Sequence, residues 1–232
     1  MKAQPAIELR RKGAAVCLLA APLLMLMGDA LRYWAGAQHT WLVMFKLSFA
    51  LFVGAALALV HLVRWRADRT GLAGGALAVV GCLAGSGIVT ANAVLGTVET
   101  AGLEETAMRV VDAAFQRDGV GGFVLLYPLP GLAFPAGFLV LGYALLRARV
   151  VSAPAAVALA LGALLFPVGR IGGFEWAVMG SGVGMSVGLG LAALRVLGMS
   201  AGEWGRLPEA RESDAARAGR EAAGLGTEAA AG

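Results

Sequence analysis

The sequence predicts an all-α, polytopic membrane bundle of six transmembrane helices with both termini on the cytoplasmic side. Three observations carry that reading. The 232 residues are 59% hydrophobic and 15% charged, with a mean hydropathy of +0.75, too apolar for an ordinary soluble domain. The apolar residues gather into six charge-poor windows near the ~20 residues that a helix needs to cross a ~30 Å hydrocarbon layer. Lysine and arginine concentrate on alternate connections. Strands are excluded as spans because open edges leave N–H and C=O groups unpaired in lipid, and no alternating barrel pattern is present.

The first span is expected from Ala14 to Ala35, after Lys2, Arg10, Arg11 and Lys12 in a cytoplasmic segment 1–13. A cleaved signal peptide ending near Ala35-Gly36-Ala37 is the rival reading, disfavoured by Arg32, Tyr33 and Trp34 just before that site. The second span runs from Trp41 to Val63 and the third from Gly71 to Thr97, with Arg64, Arg66 and Arg69 between them. The fourth lies within Gly121 to Leu146, followed by Arg147 and Arg149, and the fifth runs from Ala153 to Gly169. The sixth, Phe174 to Leu197, completes a membrane domain 14–201. The three basic sites alternate and so share one side, which the positive-inside rule makes cytoplasmic. A pI near 9.5 then reflects topology, and nucleic-acid binding is not needed to explain it.

The connection between the third and fourth spans is acidic, with Glu99, Glu104, Glu105, Asp112 and Asp118 against Arg109 and Arg117. Leu103, Ala107, Val111, Ala114 and Phe115 recur in it at helical spacing. Residues 99–118 are therefore expected to form an external amphipathic segment. Beyond the sixth span, residues 202–232 turn to Ala, Gly, Glu and Arg, a composition that buries too little to order itself, and a flexible cytoplasmic tail is expected.

Small residues four apart mark two spans as close-packing. Gly74, Ala78, Cys82, Ser86 and Thr90 do so in the third, and Gly180, Gly184, Gly188 and Ala192 in the sixth. These two helices are expected at the tightly packed centre. A Gly-Ser-Gly in each, at 85–87 and 180–182, would also suit two inverted three-helix halves, although 34 glycines make coincidence easy. Pro128, Pro130 and Pro135 predict a broken or kinked fourth span whose freed carbonyls face protein or a cavity.

Catalytic chemistry finds little support. His39 and His61 lie at opposite ends of the second span and cannot clamp one haem, so no cofactor is expected. Cys17 and Cys82 sit at different depths, form no C-x-x-C, and are expected to stay unpaired. Glu104-Glu105-Thr106-Ala107-Met108-Arg109 resembles the E-E-x-x-x-R motif of the CAAX-protease family, which implies Glu104 or Glu105 as base and Arg109 as its partner. That family also uses histidines on later helices, and none follows His61. Ser86 and Ser181 have no histidine for rhomboid-type proteolysis. Walker, Rossmann and zinc-ligand patterns are absent.

What remains is a set of polar residues near the outer ends of the spans. Asp29 and Lys46 each fall about 6–10 Å inside on the 1.5 Å helical rise and are expected to pair. Thr90, Asn92, Tyr127, Arg170 and Glu175 fall at comparable depth. Together they suggest an outward-facing pocket for a small molecule, a lipid or a partner subunit, with homo-oligomerisation open. A small transporter or ion pathway is the alternative. The stretch Leu129 to Gly173, with Arg147-Ala148-Arg149 and Phe166-Pro167-Val168-Gly169-Arg170, resembles uncharacterised six-helix bacterial inner-membrane proteins, a resemblance that implies the same fold and no catalytic residues.

Overall fold

The computed structural model describes residues 4–64, 66–103 and 128–206, together with 105, 106, 109, 110, 113 and 117. The chain is a multi-pass, all-α membrane bundle. Its six long helices are α1 (Gln4–Ala35), α2 (Gln38–Val63), α3 (Asp68–Thr100), α4 (Pro128–Ala148), α5 (Ala153–Gly172) and α6 (Glu175–Gly198), and a short α7 (Ala201–Arg206) follows. All six long helices carry a window apolar enough to cross a membrane. No strand occurs among the described residues.

Short turns make neighbours antiparallel. Gly36 ends α1 at φ 61°, and the N–H of Ala37 donates back to the Leu31 carbonyl at 3.2 Å, so two residues suffice to reverse the chain. Gly173, at φ 73°, performs the same reversal between α5 and α6. Each long helix packs on its sequence neighbours, and α6 returns to pack on α1, so the six form a closed ring. One end of the bundle carries the α1–α2 and α5–α6 turns. The other carries the α2–α3 and α4–α5 turns with α7.

The expected central pairing of the third and sixth spans is corrected. α3 packs on α2 and α4, and α6 on α5 and α1. The small-residue stripes work, but each serves a neighbouring helix. A Cβ on Gly81 would strike the Phe134 backbone, and one on Gly137 would strike that of Ala78. Likewise Gly184 lies against Gly162 and the Ala158 carbonyl, and Gly188 against Leu159. Gly74 abuts Val140 and Leu141, whereas a Cβ on Gly180 would meet only the end of Leu165. The largest fully buried side chains come from most of the ring, Phe52, Leu59 and Leu62 from α2 and Phe134 and Phe138 from α4, beside Leu18 and Met25 of α1 and Met185 and Leu189 of α6.

α4 is one continuous helix from Pro128 to Ala148. Pro128 and Pro130 stand in its first turn, where a missing N–H breaks no helical bond. Pro135 alone is interior, and it withholds a donor from the carbonyl of Gly131. The expected break is thus reduced to a single interrupted bond. α1 begins at Gln4, ten residues ahead of the expected span, because its first turns are held by the opposite terminus. Arg11 donates from Nη1 to the carbonyls of Val196, Leu197 and Met199 at 3.2, 2.7 and 2.8 Å, joining the Met199 N–H at Val196 and supplying a donor to the other two at the end of α6. Its Nη2 pairs with Glu8 at 2.8 Å.

The start of the expected tail is structured. Ser200 and Glu203 cap α7 reciprocally, Ser200 N donating to Glu203 Oε2 and Glu203 N to Ser200 Oγ. Trp204 is buried, its ring 4.3 Å from that of His61, whose Nε2 donates to the Trp204 carbonyl at 3.1 Å. Residues 207–232 lie outside the described residues.

Two glycine substitutions on one helix should separate packing from propensity. Gly81→Ala should lower the thermal midpoint in detergent, at a cost of about 1–3 kcal/mol from overpacking. Gly87→Ala, whose added methyl meets nothing within 4 Å, should leave it unchanged or raise it. Equal midpoints would mean that α3 and α4 are not in backbone contact.

Candidate functional site

At the end of the bundle with the α1–α2 turn, three helices converge on one carboxylate. Asp29 of α1 is 1% exposed. Arg170 of α5 brings Nη2 to 2.6 Å from Oδ1 and 2.5 Å from Oδ2, and Trp41 of α2 donates its indole N–H to Oδ1 at 3.1 Å. A carboxylate buried in this way is tolerable only when its charge is matched and its oxygens are hydrogen-bonded. Both conditions hold. The α1–α2 turn makes them possible, since it returns the chain to Trp41 only twelve residues after Asp29.

Two of the basic groups at this end lie over aromatic rings. The guanidinium carbon of Arg170 is 4.4 Å from the Phe45 centroid and 5.7 Å from that of Phe166. That of Arg32 lies 4.3 Å from Trp41 and 5.8 Å from Tyr33. Such contacts retain cations in surroundings where water is scarce. Below them Trp41, Phe45, Phe49 and Phe134 touch in sequence, at centroid separations of 5.2, 5.7 and 5.4 Å. The first three are four residues apart and so stack along one face of α2.

These side chains wall a cavity of about 310 Å³. Arg32, Arg170 and Asn92 supply its polar groups. Phe45, Phe49, Phe134, Phe166, Ile88 and Val89 supply most of the apolar wall, and Gly81, Gly85 and Gly131 contribute backbone. Gly131, whose carbonyl loses its helical donor to Pro135, is among the residues of this wall.

The predicted Asp29–Lys46 pair is corrected. Lys46 is exposed and donates to Thr90 Oγ1 at 2.7 Å, while Thr90 donates to the Ser86 carbonyl one turn back. The two depths agree, but Asp29 faces the bundle interior and Lys46 lies on an exposed face of α2. Of the predicted residues, Asp29 and Arg170 are brought together, and Arg170 and Asn92 line the cavity. Thr90 and Glu175 are exposed and stand outside it. Tyr127 lies outside the described residues. Arg32 and the aromatic row were missed as site residues, although the spacing of Trp41, Phe45 and Phe49 was readable.

The E-E-x-x-x-R resemblance gains no support from geometry. Glu105 and Arg109 are exposed, and Arg109 Nε donates to the Glu105 backbone carbonyl at 3.3 Å, as on a solvated helix face. Glu104 lies outside the described residues. No group of three or more His, Cys, Asp or Glu side chains suited to a metal occurs among the described residues. No family model, curated protein or solved structure matches the chain.

Removing one member of the buried pair should be costly and removing both less so. Asp29→Ala strands a guanidinium among aromatic rings and should cost about 3–5 kcal/mol, with Arg170→Ala similar. The double variant should retain more stability than the sum of the two losses implies. Lys46→Ala should cost under about 1 kcal/mol. Additive losses for Asp29 and Arg170 in detergent unfolding would show that the two act independently.

Proposed function

We propose that the chain is a non-enzymatic binding module of the inner (plasma) membrane. Both termini are cytoplasmic, and the cavity faces outward to receive a small molecule. The observation that carries this reading is the cavity itself, about 310 Å³ that the chain's own side chains leave unfilled, apolar along its walls and polar at one end. Small-molecule sites have this make-up, with convergent polar groups at the margin of an apolar pocket. The volume is about twice the ~150 Å³ that encloses a benzene ring, which favours a small molecule over a diacyl lipid.

Transport is less well supported. An ion path calls for ionisable groups at several depths, and among the described residues the buried polar groups between the two ends are the hydroxyls of Ser48, Ser181 and Ser186. Ser48 is already committed, donating to the Ala21 carbonyl at 2.7 Å.

Orientation is testable with a membrane-impermeant thiol reagent on whole cells. Leu103→Cys should label and Arg69→Cys should not, given the basic clusters that place Arg69 on the cytoplasmic side. The reverse pattern would turn the cavity to the cytoplasm.

Binding is testable by filling the cavity. A Cβ on Gly131 meets nothing within 4 Å, so Gly131→Leu should fold and project into the open volume. Mass spectrometry of chain purified in mild detergent should find a small molecule with the wild type and none with this variant. Identical copurifying material in both would remove the cavity from the reading.

A further inference from the structure

The charges around the cavity do not balance, and their imbalance specifies a ligand. Two guanidiniums, Arg32 and Arg170, line it. One carboxylate, Asp29, stands beside them, and its two oxygens are taken by Arg170 and the Trp41 indole. Arg32 makes no ion pair or hydrogen bond with a carboxylate among the described residues; it feels the charge of Asp29 from beyond contact distance and lies against the faces of Trp41 and Tyr33. Those faces leave the N–H edge of the guanidinium plane without an acceptor, and Arg offers five donors in a fork suited to a planar oxyanion. The Asn92 amide, half-buried and also lining the cavity, likewise has no hydrogen-bond partner among the described residues. The net charge at the cavity is therefore one positive unit, with donors at one end and aromatic rings at the other.

We propose that the cavity binds a small monoanionic organic carboxylate, its acid held by Arg32 and Asn92 and its apolar body lodged among Phe45, Phe49, Phe134 and Phe166. This rests on the cavity-binding reading above and adds the chemical class. A carboxylate carries one charge and matches the net single positive charge that two guanidiniums and Asp29 leave at the cavity. A phosphate monoester carries about −1.5 to −2 and would bring excess charge into an apolar site. A cation would meet Arg32 and Arg170 with only one carboxylate, already engaged. The volume limits the ligand to about a dozen non-hydrogen atoms, scaled from the ~150 Å³ that holds benzene. An aromatic acid of one or two rings meets each condition, with its rings available for edge-to-face contact with the phenylalanines.

The experiment is equilibrium dialysis of the full chain in lipid nanodiscs against 2-naphthoate, 2-naphthalenemethanol and 2-naphthylmethylammonium. The carboxylate should bind saturably, the alcohol about tenfold or more weakly, and the ammonium least. Arg32→Gln should weaken 2-naphthoate by about tenfold or more and the alcohol by clearly less, and Arg32→Lys should restore part of the loss of the acid. Gly131→Leu should abolish binding of both. Thermal midpoints of the Arg32 variants should fall only slightly, since Arg32→Gln gives up ring contacts with Trp41 and Tyr33 but breaks no ion pair. Binding of 2-naphthoate that survives Arg32→Gln, or an alcohol as tight as the acid, would overturn the assignment of class while sparing the cavity. Failure of all three probes, or binding indifferent to Gly131→Leu, would overturn the cavity reading as well.

Discussion

The ion pair between Asp29 and Arg170 is the constraint on which this end of the bundle depends. Neither group can be left alone in a low-dielectric interior, because stranding either one costs several kcal/mol. Their meeting fixes the distance between α1 and α5, helices that are not neighbours around the ring. The Trp41 indole adds α2 to the same point. Three of the six helices are thus tied by a single carboxylate. The cavity lies beside this knot, and the helices it holds set part of the wall. At the opposite end Arg11 performs a related task without a buried acid, using backbone carbonyls of α6 as its partners. The ring is therefore closed at both ends by arginines contributed from far along the chain.

The bundle was largely legible in the sequence, because the bilayer imposes a length and a polarity on any segment that crosses it. The start of α1 was the exception. Arg10, Arg11 and Lys12 read as a flank outside the membrane, yet the helix continues through them because the end of α6 offers carbonyls to Arg11. Trp204 was likewise lost in a polar tail, although its partner His61 lies over a hundred residues away and no local pattern could announce it.

The candidate site was legible only in part. Helical rise gives depth from residue number alone, so Asp29, Asn92 and Arg170 were grouped together, but with Thr90 and Glu175, which stand outside the cavity. Which face of a helix turns inward depends on its neighbours, and that is where the Asp29–Lys46 assignment failed. The row Trp41, Phe45, Phe49 held the missing information. Its four-residue spacing marks the buried face of α2, and Lys46, one residue past Phe45, is carried about 100° round the helix from it. The same argument would have drawn attention to Arg32, one turn beyond Asp29 on α1.

The use of glycine in the cavity wall has a consequence for how such a chain can diverge. Gly81 and Gly85 stand one turn apart on α3, but a methyl group would meet different obstacles at each. At 81 it would strike the backbone of α4, so that position governs how near two helices lie. At 85 it would reach the Phe49 ring at 2.6 Å, a side chain that borders the cavity and turns about its own bonds. An added carbon at position 81 would thus press on the frame, whereas one at position 85 would press on the aromatic row that borders the chamber.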